Sequence, residues 1–131
     1  MAKNDWRKTL GWGEEQFEDL RFTGYSYIRQ GKYEIALPIF EALAVLNTNN
    51  AYDAQTLGAL YLQLGDAEKA AKSLDRALKL ETDHAPTLLN LTKALFMLGR
   101  KKEALKLAEI LSREPDPSIS NIAKALLLAY G

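Results

Sequence analysis

The 131-residue sequence contains no cysteine and a single histidine, His84, which restricts the metal and redox chemistry open to it. Without cysteine the chain can form no disulfide, no thiolate zinc site and no cysteine nucleophile, and one histidine cannot share a metal with a second. Neither a phosphate-binding glycine loop nor an activated serine motif occurs in the sequence. We therefore expect no cofactor, no metal site, no catalytic residue and no enzymatic activity.

Residues that favour β-strands are also scarce. One valine and six isoleucines stand against 23 leucines and 18 alanines. Because leucine and alanine are strong helix formers and β-branched residues favour strands, the composition predicts an all-α fold.

Charge of one sign and long apolar runs are missing as well. The 17 basic and 17 acidic residues cancel, so there is no overall field to attract nucleic acid. No stretch approaches the roughly 20 mostly apolar residues of a membrane helix, and the N-terminus has no apolar core of signal-peptide length. We expect a soluble cytoplasmic protein with no membrane and no nucleic-acid partner.

What the sequence has is a repeat with a period of 34 residues. Three glycines mark it, at Gly31, Gly65 and Gly99, and each is followed five residues later by an alanine. Three copies align without a gap, over 17–50, 51–84 and 85–118. A fixed period of this length is typical of stacked helical repeats, so we expect three repeats in these ranges.

Within each copy, apolar residues recur at three- and four-residue steps on both sides of the central glycine, which predicts a pair of amphipathic helices. In the second copy Gly65 is suited to a left-handed turn and Asp66 to an N-cap for a helix over 67–80. A further amphipathic helix over 119–131 is expected to cap the array, and residues 1–16 to form an N-terminal arm or short helix.

These columns resemble the tetratricopeptide repeat. The matching features are a glycine in the first helix, an aromatic residue three positions on and a glycine at the turn, seen here as Gly24, Tyr27 and Gly31 and again as Gly58, Tyr61 and Gly65. The third copy departs from the pattern with Thr92 and Lys101. The resemblance implies a right-handed α-solenoid of three helix-turn-helix repeats followed by a C-terminal capping helix.

A narrower resemblance lies in the segments 25–43 (YSYIRQGKYEIALPIFEAL) and 57–65 (LGALYLQLG). They are similar to the small tetratricopeptide chaperones of bacterial type III secretion, both the class II translocator chaperones and the chaperones of needle subunits. The resemblance implies a holding function in which the chain keeps a secreted translocator or needle subunit soluble in the cytosol.

Stacked pairs form a superhelix whose concave face is lined by the first helix of each pair. We expect side chains one position beyond the buried stripe to face this groove, and its centre is apolar. Exposed apolar surface of this kind marks a site for a protein or peptide client with apolar anchors. The predicted partner-binding residues are Arg21, Tyr25, Ile28, Tyr52, Gln55, Leu62, Leu89, Lys93, Phe96 and Met97.

Other binding modes follow from other residues. A clamp for a C-terminal carboxylate is disfavoured because only Arg21 and Lys93 are cationic among the predicted groove positions. Trp6, Trp12 and Phe17 form a second aromatic cluster, which either caps the first helix pair or forms a homodimer contact. The alternative function is therefore a general assembly scaffold that binds a folded partner, or associates with itself, through the Trp-bearing N-terminus.

Overall fold

A computed structural model describes residues 10–131, which fold into seven α-helices with no strand in that range. The first six helices form three antiparallel pairs and the seventh packs on the end of the array. The helices are α1 (Glu14–Arg29), α2 (Tyr33–Leu46), α3 (Ala51–Gln63), α4 (Ala67–Leu80), α5 (Ala85–Met97), α6 (Lys101–Leu111) and α7 (Pro117–Tyr130). The predicted all-α solenoid is confirmed, whereas the division into repeats at 17–50, 51–84 and 85–118 stays a prediction.

The three pairs turn in the same way. Gly31, Gly65 and Gly99 have φ angles of 74°, 86° and 77°, a left-handed conformation that residues with a Cβ rarely adopt. In each turn the N–H of the residue after the glycine donates to a carbonyl five residues back, as in Asp66 to Tyr61 at 2.8 Å. This arrangement satisfies carbonyl groups that the end of the first helix leaves open.

The two helices of a pair approach closely where the first helix carries glycine. A Cβ added to Gly24 would lie 2.5 Å from the Phe40 ring, and one added to Gly58 would lie 2.6 Å from Leu74. The third pair has Thr92 at this position, and its hydroxyl donates to the Leu88 carbonyl at 2.8 Å. The glycine column therefore sets the helix spacing in the first two pairs.

The core runs along the array in two clusters. The larger one spans all three pairs and includes Phe17, Phe40 and Leu74, all fully buried. The smaller one lies at the C-terminal end, where Leu89 and Leu111 pack against two residues of α7, Ile119 and Ala123. The last helix thus closes the core, as the sequence predicts for a capping helix.

Local signals fix the helix ends. Asp66 accepts a hydrogen bond from the Lys69 N–H at 3.1 Å, which confirms it as the N-cap of α4. Asp116 caps α7 by accepting from the Ser118 N–H at 2.9 Å, so this helix begins at Pro117, two residues before the predicted start. No helix within residues 10–131 is long and apolar enough to cross a membrane.

Candidate protein-binding groove

The first helices of the pairs, α1, α3 and α5, carry all ten predicted partner-binding residues. Two are exposed, namely Tyr52 and Met97. Six are half-buried, namely Tyr25, Ile28, Gln55, Leu62, Lys93 and Phe96. Two are buried, namely Arg21 and Leu89. Eight of the ten therefore retain surface that a partner can reach.

The best-formed feature of this surface is a pocket between α1 and α3. Tyr25 and Ile28 form one wall, and the cavity has a volume of about 250 Å³. The Tyr25 ring is held by Phe40, with the centroids 5.2 Å apart, while its hydroxyl lies 3.2 Å from the Thr56 hydroxyl. The remaining lining residues are Tyr33, Thr56, Ala59, Leu60 and Gln63. The pocket is therefore mostly apolar, with a few hydroxyl and amide groups at its wall, and suits one large apolar side chain.

Arg21 does not line the groove as a free cation. Its side chain is 9% exposed and forms two parallel bonds to Asp53, from Nε to Oδ1 at 2.6 Å and from Nη2 to Oδ2 at 2.8 Å. It also pairs with Glu18. The hydrogen bond to Asp53 raises the pKa of the Arg21 guanidinium above its usual value. The predicted exposure of Arg21 is thus corrected: the residue ties α1 to α3.

Leu89 also differs from the prediction. It is 5% exposed and belongs to the C-terminal cluster with Leu111, Ile119 and Ala123. The predicted groove-facing position is wrong because α7 packs over this part of α5. Leu89 contributes to the core and not to an open surface.

The C-terminal end of α7 reaches the groove residue of the third pair. Tyr130 stacks on Phe96 with a centroid distance of 4.3 Å and an interplanar angle of 17°. Phe96 is half-buried by this contact, and Tyr130 itself is 46% exposed. The aromatic surface that the sequence assigns to Phe96 is therefore shared by two rings.

Gln55 places a buried amide beside the groove. Among the described side chains, its Nε2 atom is a buried donor that has no hydrogen-bond partner. A buried amide without a partner costs free energy. Lys93, the second cation predicted for the groove, is half-buried on the neighbouring first helix, α5.

A second polar contact joins consecutive pairs beneath the groove. The Tyr61 hydroxyl on α3 donates to Glu41 on α2 at 2.6 Å, and the Lys69 ammonium lies 5.7 Å from the centre of the Tyr61 ring. Burial and the hydrogen bond to Glu41 raise the pKa of Tyr61 to about 12. Tyr61 therefore links the first pair to the second.

Tyr33 lines the pocket although the sequence pattern does not predict it there. Tyr33 begins α2, and only the turn at Gly31 brings it back to the groove side. Asp53, the partner of Arg21, is likewise absent from the predicted site residues. The 34-residue period does not identify Asp53 as half of a buried ion pair, because Asp19 at the same position of the first copy is exposed and the third copy carries Thr87 there. Of the predicted aromatic cluster, the rings of Trp12 and Phe17 have centroids 5.6 Å apart. Trp6 lies outside the described residues.

Comparison with known proteins gives a family and a set of similar folds. A family model described as anaphase-promoting complex, cyclosome, subunit 3, matches residues 29–110. Human protein O-mannosyl-transferase TMTC2 is 34% identical over an alignment of 88 residues that covers 64% of this chain and 10% of that protein. The chain therefore spans about a tenth of the length of this curated relative.

Many solved structures share the fold, and two examples are complexes with part of a partner protein. PcrH, a protein of Pseudomonas aeruginosa, in complex with the chaperone binding region of PopD has a TM-score of 0.80 at 24% identity, covering 92% of this chain and 94% of that one. The Yersinia enterocolitica type III secretion chaperone SycD in complex with a peptide of the translocator YopD has a TM-score of 0.78 at 22% identity, covering 88% and 92%.

Proposed function

We propose that this chain, which belongs to the tetratricopeptide-type family of anaphase-promoting complex subunit 3, is a secretion chaperone that holds an apolar segment of a client protein in its concave groove. Members of this fold bind proteins and are typically not catalytic, so no enzymatic activity is part of the proposal. On this account the client is a secreted translocator or needle subunit, and the complex forms in the cytosol.

The observation that carries the proposal is the pocket of about 250 Å³ between α1 and α3. Its walls are Tyr25 and Ile28 from the first pair and Ala59 and Leu60 from the second. Burial of a client side chain there would contribute about 25 cal/mol per Å² of apolar area before the cost of ordering the client. The pairing of Arg21 with Asp53 supports the same reading because it removes a free cation from this end of the groove.

The two similar structures add support of a different kind. PcrH is described in complex with a region of PopD, and SycD in complex with a peptide of the translocator YopD. Their identities with this chain are 24% and 22%, so they support the fold directly and the chaperone role by analogy.

The test begins with capture of a client from extracts of the source cells, followed by synthesis of the captured segment as a labelled peptide. We expect Ile28→Glu to weaken binding of that peptide at least tenfold, because the carboxylate would be desolvated in the pocket. The triple variant Tyr25→Glu/Leu62→Glu/Phe96→Glu should abolish binding, provided that its circular dichroism shows native helix content.

The matched control is Ile110→Glu, which changes an isoleucine that is 57% exposed on α6, a second helix of its pair. It should leave binding unchanged. Equal affinities for wild type and Ile28→Glu would contradict the groove. A captured partner that binds only as a folded domain would instead favour the general scaffold.

A further inference from the structure

A cavity of about 320 Å³ lies where the second helix pair meets the third. Residues of α4, α5 and α6 line it, and we call it the interpair cavity. Its floor is apolar and consists of the buried residues Ala71, Leu91 and Leu95, with Leu107 beside them. None of these four residues is among the ten predicted for the concave groove, so the interpair cavity is a separate feature of the surface.

Four charged side chains surround the opening of the interpair cavity. They are Asp75 on α4 and Arg100, Glu103 and Lys106 at the start of α6, and all four are exposed. Within residues 10–131 none of the four forms an ion pair. Two acids and two bases give the rim no net charge, so it does not favour a charged occupant over a neutral one.

A tyrosine fills the corresponding place between the first and second pairs. Helices α2, α3 and α4 begin 34 residues before α4, α5 and α6, so residues of the two interfaces correspond at that interval. Leu37, Glu41 and Tyr61 correspond to Ala71, Asp75 and Leu95. The Tyr61 ring is buried, and its hydroxyl donates to the Glu41 carboxylate at 2.6 Å. A phenol and a carboxylate thus close the first interface.

The sequence differences at the second interface remove this closure. Leucine replaces the tyrosine, alanine replaces the leucine, and aspartate replaces the longer glutamate. Leu107 stands where the first interface has Ser73, and it lines the interpair cavity without filling it. The second interface therefore keeps the carboxylate, as Asp75, and lacks the ring and hydroxyl that its counterpart holds.

We propose that the interpair cavity binds a tyrosine side chain of a partner protein, with the ring on Ala71 and Leu95 and the phenol hydroxyl donating to the Asp75 carboxylate. Burial of the ring would supply most of the affinity, and the charge-assisted hydrogen bond would select tyrosine over phenylalanine. Because the rim is exposed, the backbone that carries the tyrosine stays outside. The proposal is independent of the concave groove and of its client.

The experiment titrates the isotope-labelled full chain with N-acetyl-tyrosine N-methylamide and follows its amide signals by NMR. N-acetyl-phenylalanine N-methylamide is the matched probe. We expect saturable shifts at Ala71 and Leu95 and about fivefold tighter binding of the tyrosine probe, because only its hydroxyl can donate to the carboxylate. Asp75→Ala should remove this preference and leave the affinity for the phenylalanine probe unchanged.

Filling the interpair cavity from within should abolish binding of both probes. Leu95→Tyr introduces the ring that the preceding interface has, and Ala71→Leu introduces its leucine, so each variant occupies the proposed site. Leu128→Tyr is the control, because Leu128 is 87% exposed on α7 and lies outside the cavity. This control should bind both probes as wild type does.

Several results would overturn the proposal. One is the absence of saturable binding, or equal affinity of wild type for the two probes. Another is a preference for tyrosine that persists in Asp75→Ala, or binding that persists in folded Leu95→Tyr and Ala71→Leu. Shifts confined to Tyr25 and Ile28 would assign the probes to the concave groove instead. Binding of p-cresol without binding of the tyrosine probe would assign the cavity to a free phenol and not to a protein.

Discussion

Arg21 and Asp53 lie 32 residues apart and join the first helices of successive pairs through two bonds of 2.6 and 2.8 Å. Asp53 is fully buried and Arg21 nearly so. The pair sits at the end of the pocket-bearing groove that lies towards the start of α1. It therefore fixes how α1 and α3 are oriented relative to each other and keeps a free positive charge out of the groove.

Removal of one member of this pair should destabilise the fold strongly. We expect Asp53→Ala to lower the free energy of unfolding by about 3 kcal/mol, because a buried guanidinium then loses its main partner. Urea unfolding measures the loss. Glu109→Ala is the control, since Glu109 forms an exposed i,i+4 pair with Arg113 at 3.0 Å and should cost less than about 0.5 kcal/mol. Equal losses for the two variants would contradict the assignment.

Close helix contact at Gly58 leads to a second prediction. Gly58→Ala should destabilise the protein by about 1–3 kcal/mol, because the added Cβ would lie 2.6 Å from Leu74. In a Leu74→Ala background the same change should cost almost nothing, since the space is then open and alanine is the better helix former. Thermal or urea unfolding of the four proteins forms a double-mutant cycle. Strict additivity would show that Leu74 is not what excludes the methyl group.

Tyr61 gives the fold a defined response to alkaline pH. Its pKa of about 12 in the folded protein exceeds the ordinary value of 10.0, so between these values the folded state keeps a proton that the unfolded chain releases. This contribution to stability is complete below about pH 10 and is lost as pH rises through about 12.

The measurement is an absorbance titration of tyrosinate with Tyr61→Phe to assign the late step. Glu41→Gln should lower the pKa of Tyr61, because the negatively charged acceptor of its hydrogen bond is lost. Stability of Tyr61→Phe should fall less steeply than that of wild type between pH 10 and 12. Identical slopes would contradict the assigned role of Tyr61.

The stack of Phe96 and Tyr130 should stabilise the C-terminal end of the array. We expect Tyr130→Ala to cost about 0.5–1.5 kcal/mol in addition to the area it uncovers, as offset aromatic pairs do. Leu128→Ala is a suitable control, because Leu128 is 87% exposed on the same helix and should be close to neutral. Equal effects in chemical denaturation would mean that the stack contributes nothing specific.

Much of the fold follows from the sequence because the 34-residue period carries its own geometry. Gly31, Gly65 and Gly99 predict the turns, and all three have the left-handed backbone that such turns require. Asp66 predicts a helix start for the same reason, since its side chain can satisfy a backbone N–H locally. Signals of this kind act within a few residues, so the sequence contains them directly.

The errors arise where neighbouring helices decide exposure. The 34-residue period predicts an exposed position for Leu89. Helix α6, however, has 11 residues where α4 has 14, so α7 begins earlier in the sequence than the period predicts. As a result Ile119 and Ala123 of α7 follow the buried residues Thr87 and Leu91 of α5 by 32 positions. A strict 34-residue period therefore does not predict which side of α7 packs against the rest of the array.

The pocket illustrates the same limit. Tyr25 and Ile28 are predictable because they lie one step beyond the buried stripe of α1. Tyr33 belongs to a different helix, and its place in the pocket depends on how the turn at Gly31 returns the chain. Only the packed arrangement of two pairs shows that these residues share one cavity.

The most direct test of the central claim is site-specific photocrosslinking in the source cells. A photoreactive phenylalanine analogue replaces Tyr25 in the groove or, as the control, Ile110 on α6. We predict that the Tyr25 position forms an adduct with an apolar segment of a secreted protein, that the free segment competes with the adduct, and that Ile110 gives none. Adducts at Ile110 together with none at Tyr25 would contradict the claim that the concave groove holds the client.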